Sequence, residues 1–134
     1  MKYISLKDAL DMHDVIIKKM QGLSGYNQVN LGYLDSALEN IQNDSFYPTL
    51  EDKLTHLMFS CIKFHPFNDS NKRTSIYLAM HFLEINDKKN VIDDFAQKME
   101  DIVVQVAEDS LNKDELKEIL THILKKNIDH KTTI

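Results

Sequence analysis

HPFNDSNKRTS, from His65 to Ser75, gathers a histidine, a carboxylate, amides and two adjacent cations between two apolar segments. The residue before a proline is disfavoured in the helical region, so the helix before this loop must end near Phe64. The next helix begins around Asn71 or Lys72 and continues through IYLAMHFLEI, which is apolar on almost every face apart from a histidine and a glutamate. A helix of that kind belongs in the middle of a bundle.

The rest of the chain has the same three-to-four spacing of apolar residues, with only three glycines and two prolines. This pattern predicts an all-α, single-domain bundle of about six helices with the helix after the loop buried at its centre. We expect one domain over residues 1–128 and a frayed tail over residues 129–134. The further helix signals, in chain order, are a cap at Ser5, a helix over 31–41, a cap at Thr49, a helix over 94–108, and a capping pair at Asn112 and Glu115.

Length and composition limit the classes of protein that this chain can belong to. A chain of 134 residues with 43% hydrophobic content can build one core. A net charge of −5 argues against direct nucleic-acid binding, which needs a cationic surface. The single cysteine, Cys61, excludes an internal disulfide and lies in an apolar stripe, where a core residue is favoured over a nucleophile. Without a membrane span or a signal-peptide core, we expect a cytoplasmic protein with no membrane partner.

The loop delivers the chain to a helix N-terminus, where backbone N–H groups lack partners and the helix dipole is positive, so phosphate is attracted there. Ser70 and Asn71 favour tight turn geometry, which suits a nest of amides around an anion. Lys72 and Arg73 add positive charge, and an arginine can bind phosphate oxygens with two parallel hydrogen bonds. These residues are our candidates for nucleotide binding.

Asp69 places a negative charge beside the predicted phosphate site, where it would repel a bound anion. A Mg²⁺ ion that bridges Asp69 and a phosphate is the simplest explanation. His65 is the residue of the loop whose ordinary pKa suits proton abstraction near neutral pH, so it is the candidate general base.

Each of these residues also has an ordinary structural explanation. Asp69 could cap the helix, Lys72 and Arg73 could be a solvated helix start, and His65 could be a hydrogen-bonded loop residue. The other five histidines are scattered without the spacing of a metal site, and packing or hydrogen bonding explains them; they are His13, His56, His81, His122 and His130.

The residues from His65 to Arg73 resemble the signature of the Fic/Doc superfamily, H-P-F-x-D-G-N-G-R. The likeness is closer to the Doc (death-on-curing) branch, in which the second glycine is a lysine. It extends to MHD at 12–14, GLSG at 22–25, YPTLEDK at 47–53 and HFLEIN at 81–86. The resemblance implies an enzyme that uses ATP and Mg²⁺ to modify a protein hydroxyl. In Fic enzymes the transferred group is usually AMP, whereas Doc toxins transfer the γ-phosphoryl group to a threonine of elongation factor Tu and stop translation.

Carried over by position, the resemblance implies that His65 is the general base, Asp69 the Mg²⁺ ligand, and Asn71 and Arg73 phosphate contacts. Lys72 stands where Fic proteins have glycine, which favours phosphotransfer. The arginine that Fic enzymes carry three residues after Arg73 is an isoleucine here, and this weakens the case for AMP transfer. Ser70 replaces a Fic glycine, a mild departure that leaves the amide nest plausible. The segment NDSFYPT, 43–49, falls where the family has a flap that aligns the target.

The resemblance also implies a partner that restrains the enzyme. Fic proteins that inhibit themselves carry S/T-x-x-x-E-G/N, and SALEN at 36–40 is one residue too short for that pattern. A separate antitoxin chain would then inhibit the protein. Two alternatives stay open at this point: AMP transfer to a protein hydroxyl, and an inert module that kept the fold and binds a nucleotide or partner.

Overall fold

The computed structural model describes the backbone of residues 1–132 and the side chains of residues 1–125. These residues form six α-helices and one short 3-10 helix, which confirms the expected all-α, single-domain fold. In chain order they are α1 (Leu6–Met20), α2 (Gln28–Asn40), α3 (Leu50–Phe64), α4 (Asn71–Ile85), the 3-10 helix (Lys89–Val91), α5 (Ile92–Ala107) and α6 (Lys113–Thr132). The domain limit at residue 128 and the fraying of residues 129–134 stay predictions; α6 extends to Thr132, and residues 133–134 lie outside the described residues.

Polar caps start three of the helices where the sequence predicted them. The Ser5 hydroxyl accepts the backbone N–H three residues later at 3.1 Å. Thr49 and Asp52 form a reciprocal capping box at 3.1 and 3.2 Å. Asn112 and Glu115 make the same exchange at the start of α6, at 2.8 and 2.9 Å. These side chains satisfy amide donors that have no partner inside the helix.

Two helices begin earlier than the apolar pattern predicted. α2 starts at Gln28 because the Asn27 side chain accepts the Asn30 amide at 3.0 Å and so caps the helix ahead of its first apolar residue. α5 starts at Ile92 because the 3-10 helix leads directly into it. In both cases the local cap or turn, rather than hydrophobic periodicity, sets the boundary.

α3 is the most enclosed helix of the bundle, since it packs against α2, α4, α5 and α6. Its apolar stripe is fully buried and includes Leu54, Leu57, Met58, Cys61 and Ile62. The interpretation of Cys61 as a core residue is thereby supported. None of the helices in the described part of the chain is long and apolar enough to cross a membrane.

α4 packs against α1, α3 and α5, and it buries Leu78, Phe82 and Leu83 completely. It is less enclosed than its sequence suggested, because Tyr77 on the same helix is 43% exposed. The exposed side of α4 forms one wall of an open cavity. The partly buried apolar residues on this side therefore line a site as well as packing against the core.

Candidate active site

The loop between α3 and α4 begins where the proline rule predicts. α3 ends at Phe64, and His65 takes a left-handed conformation with φ 46° and ψ 58°. Pro66 and Phe67 are buried beneath the loop, whereas His65 is exposed. The loop is thus fixed by its apolar residues while the candidate base stays accessible.

All six residues proposed from the sequence line one cavity of about 600 Å³: His65, Asp69, Ser70, Asn71, Lys72 and Arg73. α4 continues this wall with Ile76, Tyr77 and Met80. The opposite wall comes from α5, through Ala96, Glu100, Val103 and Val104, which the sequence did not connect with the site. The cavity is therefore lined by polar and charged residues of the loop and the start of α4 and by mostly apolar residues further along α4 and on α5, a mixture typical of small-ligand sites.

The first turn of α4 faces this cavity with its amides uncapped. Ser70 precedes the helix in a left-handed conformation with φ 63°, and its side chain makes no capping hydrogen bond within the described residues. α1, α2 and α3 each have such a side-chain cap. Free amides, the helix dipole and the exposed Lys72 and Arg73 together fit an anion such as phosphate.

Asn71 uses its side chain to hold the loop in shape. Its Oδ1 accepts from the Phe67 amide at 3.0 Å, and its Nδ2 donates to the Phe67 carbonyl at 3.0 Å. The buried Cys61 thiol lies 3.6 Å from the Asn71 carbonyl oxygen. Asn71 is thus a loop-fixing residue in the structure, and its predicted contact to phosphate stays a prediction.

The Asp69 carboxylate is held by backbone amides on both oxygens. Oδ1 accepts from Ser70 N at 2.7 Å, and Oδ2 accepts from Leu23 N at 3.1 Å. Gly22 makes room for it, because a Cβ at that position would lie 2.8 Å from Asp69 Oδ2. The carboxylate is therefore fixed in a defined orientation at the cavity.

These residues fit a magnesium ion bound together with a polyphosphate. Among the described residues there is no group of three or more histidine, cysteine or carboxylate side chains that could hold a metal alone. Mg²⁺ commonly uses one or two carboxylates, with water and substrate phosphates completing its shell. Asp69 beside the uncapped start of α4 would supply the carboxylate, with water and the bound phosphates as the remaining ligands.

The segment between α1 and α2 lies along the loop that joins α3 to α4, residues 65–70, which we call the motif loop. Hydrogen bonds connect the two. Asn27 N donates to the Pro66 carbonyl at 3.0 Å, and Asn68 N donates to the Gly25 carbonyl at 3.1 Å. The Asn68 side chain adds a bond to the Ser24 carbonyl at 3.0 Å. Gly25 has φ 98°, a conformation that a side chain would strain. The motif loop is thus supported from outside the motif.

His13 on α1 is a residue of this support that the sequence did not connect with the site. It is 2% exposed, and its ring stacks on Phe67 with centroids 3.8 Å apart and planes 8° from parallel. Its Nε2 lies 2.9 Å from the Asp69 carbonyl oxygen. The contact joins residues that are far apart in the chain, so no local spacing could have predicted it.

Two aromatics of the predicted flap have different environments. Phe46 is 77% exposed, whereas Tyr47 packs on the His56 ring with centroids 4.6 Å apart. Burial and the nearby charge of Lys113 lower the pKa of His56 to about 4. The neutral His56 Nδ1 then accepts a hydrogen bond from Lys113 Nζ at 2.8 Å. His56 is a packing residue beneath the flap, as expected for a scattered histidine.

Comparison with known proteins agrees with the motif and the fold. The Fic/DOC family model matches residues 3–83, which include α1 to α3, the motif loop and most of α4. The chain is also 32% identical over 107 residues to Toxin Doc of Mycolicibacterium smegmatis (strain ATCC 700084 / mc(2)155), covering 76% of this chain and 82% of that protein. With the motif, the cavity and both matches in agreement, this chain belongs to the Fic/Doc family.

Proposed function

We propose that this protein is a Doc-like toxin that transfers the γ-phosphoryl group of ATP to a threonine hydroxyl of a protein, with Mg²⁺ as cofactor. The observation that carries the proposal is that His65, Asp69 and the uncapped start of α4 all line one open cavity. The substrate proposed from family resemblance is elongation factor Tu, whose modification would stop translation. A cognate antitoxin would bind the toxin and inhibit it.

The exposed His65 suits a reaction on a hydroxyl that belongs to another macromolecule. In the proposed step His65 accepts the hydroxyl proton while the hydroxyl oxygen bonds to the γ-phosphorus. The bond from that phosphorus to the β,γ-bridging oxygen breaks, and ADP leaves. A positioned general base contributes roughly 10² to 10⁴ in rate.

The start of α4 would hold the nucleotide phosphates. Its free amides, with Lys72 and Arg73, offer positive charge where negative charge is concentrated during transfer. Asp69 would hold Mg²⁺ in the orientation that Leu23 N and Ser70 N give its carboxylate. When bound, the ion neutralises charge on the phosphate oxygens.

Two residues favour phosphoryl transfer over AMP transfer. Lys72 adds a cation where Fic enzymes have glycine, and it lines the cavity. Ile76 lies one turn further along the same wall, where Fic enzymes carry an arginine. The apolar side chain supplies no charge for a second phosphate position.

The test is incubation of the purified protein and elongation factor Tu with ATP labelled at the γ or the α phosphate. Label on the target from γ-ATP alone is expected, and H65A should reduce it at least about 100-fold. Label from α-ATP alone would replace the proposal with AMP transfer. H122A, a change at an exposed histidine on α6, is the matched control.

Growth arrest on expression tests the toxin assignment separately. Wild type and H122A are expected to stop growth and bulk translation, and H65A is not. Equal toxicity of wild type and H65A at equal expression would contradict the assignment. Recovery of growth when a neighbouring reading frame is co-expressed would support the antitoxin partner.

A further inference from the structure

We propose that His13 is a positioning residue for Asp69: it fixes the backbone of Asp69 so that the carboxylate is presented correctly to Mg²⁺. The inference rests on the proposed function for its metal, but its structural part can be measured without any ligand. His13 lies on α1, outside the motif, and we expect it to act through Asp69 rather than by touching the nucleotide.

The geometry assigns a definite hydrogen bond to His13. A carbonyl oxygen can only accept, so the 2.9 Å contact requires that Nε2 of His13 carries a hydrogen and donates it to the Asp69 carbonyl. The ring is buried and lies flat on Phe67, so it has little freedom to turn away. The bond is therefore a fixed feature of the site.

Asp69 is held by two hydrogen bonds from the same part of the chain, and a glycine there leaves space for its carboxylate. His13 binds its carbonyl, Leu23 N binds its Oδ2, and Gly22 leaves the space that this oxygen occupies. The backbone and the carboxylate are thus both fixed from the middle of α1 and from the residues that follow the helix. Groups that orient a metal ligand commonly matter by about 10- to 100-fold in metal affinity or activity.

A packing role alone would need only the ring, whereas a positioning role needs the donor at Nε2. Two variants separate these roles, because H13Q can place an amide donor near the position of Nε2 and H13N cannot reach it. Both variants lose the aromatic stack on Phe67 equally. H13F keeps the stack and loses the donor, and H122F is the matched control at an exposed histidine.

The first measurement is calorimetric binding of the β,γ-imido analogue of ATP with and without Mg²⁺. In H13N and H13F the gain in affinity that Mg²⁺ provides is expected to fall about 10- to 100-fold, with binding in its absence little changed. H13Q is expected to keep that gain within about threefold of wild type. The inference would be overturned if folded H13N or H13F kept the gain in affinity that Mg²⁺ gives the wild type. It would also be overturned if H13Q and H13N lost that gain equally.

The second measurement uses the free protein and NMR. The amides of Leu23 and Ser70 both donate to the Asp69 carboxylate, so their chemical shifts and hydrogen-exchange rates report its position. H13N is expected to shift both signals and speed their exchange, while H13Q stays near wild type. Unchanged amides in H13N would refute the positioning role. If Mg²⁺ does not raise the affinity of the wild type for the nucleotide analogue, the proposed function fails. The chemical shifts and exchange rates of the two amides then still test the positioning role.

Discussion

Lys53 Nζ lies 2.7 Å from the Asp44 carboxylate, although the lysine side chain is 1% exposed and the aspartate side chain is 79% exposed. The same ammonium donates to the Ile41 carbonyl and lies 5.5 Å from the centroid of the Tyr3 ring. The hydrogen bond and charge of Lys53 lower the pKa of Asp44. Burial alone would lower the pKa of Lys53, but its interactions with Asp44 and Tyr3 outweigh burial and raise it. The buried Lys53 side chain thus connects α3 with the C-terminal end of α2 and with Asp44 of the flap.

The two halves of this pair should respond differently to mutation. K53M removes the buried charge and keeps an apolar stem, so it should lower the free energy of unfolding by only about 1 to 2 kcal/mol through the unpaired Ile41 carbonyl. D44A should cost more, because it leaves the buried ammonium without its carboxylate. Urea unfolding of both variants, with D101A as a surface control, measures the difference. A smaller loss in D44A than in K53M would contradict this account.

G22A should impair the metal site. The added Cβ would lie 2.8 Å from Asp69 Oδ2 and 3.1 Å from Ile17 Cδ1, so the carboxylate must move. We expect magnesium-dependent transfer to fall about 10- to 100-fold. G32A is the matched control, since a Cβ there meets nothing within 4 Å and should raise stability by about 0.5 to 1 kcal/mol through helix propensity. Full activity in G22A would mean that the carboxylate position matters little.

K72G should reduce phosphoryl transfer, because it removes a cation at the cavity beside the first amides of α4. Initial rates with γ-labelled ATP measure the change. K7G is a suitable control, since Lys7 is also the second residue of a helix and carries the same cost in helix propensity. An unchanged transfer rate in K72G would argue against the role of the lysine in choosing the transferred group.

The stability of the protein should fall between pH 7 and pH 4 partly because of His56. Its folded pKa of about 4 lies below the ordinary value of 6.5, so in this interval the unfolded chain binds a proton that the folded protein does not. Stability is therefore greatest above pH 6.5 and declines as the pH falls toward 4. H56Q lacks this titration and should lose about 1 to 2 kcal/mol less over the same interval, the full value being reduced by partial exposure of the ring.

Urea unfolding of wild type and H56Q at several pH values isolates this contribution from that of the carboxylates. H122Q controls for the exchange of a histidine for glutamine. If wild type and H56Q lose stability in parallel from pH 7 to pH 4, His56 is not held neutral in the folded protein.

Cys61 should resist thiol reagents in the folded protein. Burial raises the pKa of its thiol to about 12, so almost no thiolate is present near neutral pH. Ellman's reagent is expected to react only after denaturation, at the rate of global unfolding. Rapid modification of the native protein would contradict the packing of α3 against α4.

The helices were largely predictable because their caps are local. Ser5, Thr49 and Asn112 each bond to an amide a few residues away, so the signal and the structure occupy the same short segment. The start of α2 was missed because Asn27, rather than the first apolar residue, sets it. The exposure of Tyr77 was missed because periodicity cannot tell a core wall from a cavity wall.

The site was predictable only where its residues are neighbours in sequence. The loop and the start of α4 lie within one short motif, so residue chemistry together with the family resemblance was enough to propose His65 and Asp69 for one site. The contributions of His13, Gly22 and the α5 wall depend on how distant segments pack. No spacing in a single sequence encodes that packing, and the structure was needed to find them.

The missing side-chain cap on α4 has a thermodynamic consequence. In α1, α2 and α3 the side chain of the N-cap residue accepts a hydrogen bond from an amide of the first turn. Among the described residues, the first-turn amides of α4 have no such side-chain partner and can bind a ligand in the cavity. A bound phosphate would serve as that cap, so occupancy and local folding become linked equilibria. The lifetime of the protein against proteases would then rise and fall with the nucleotide supply of its surroundings.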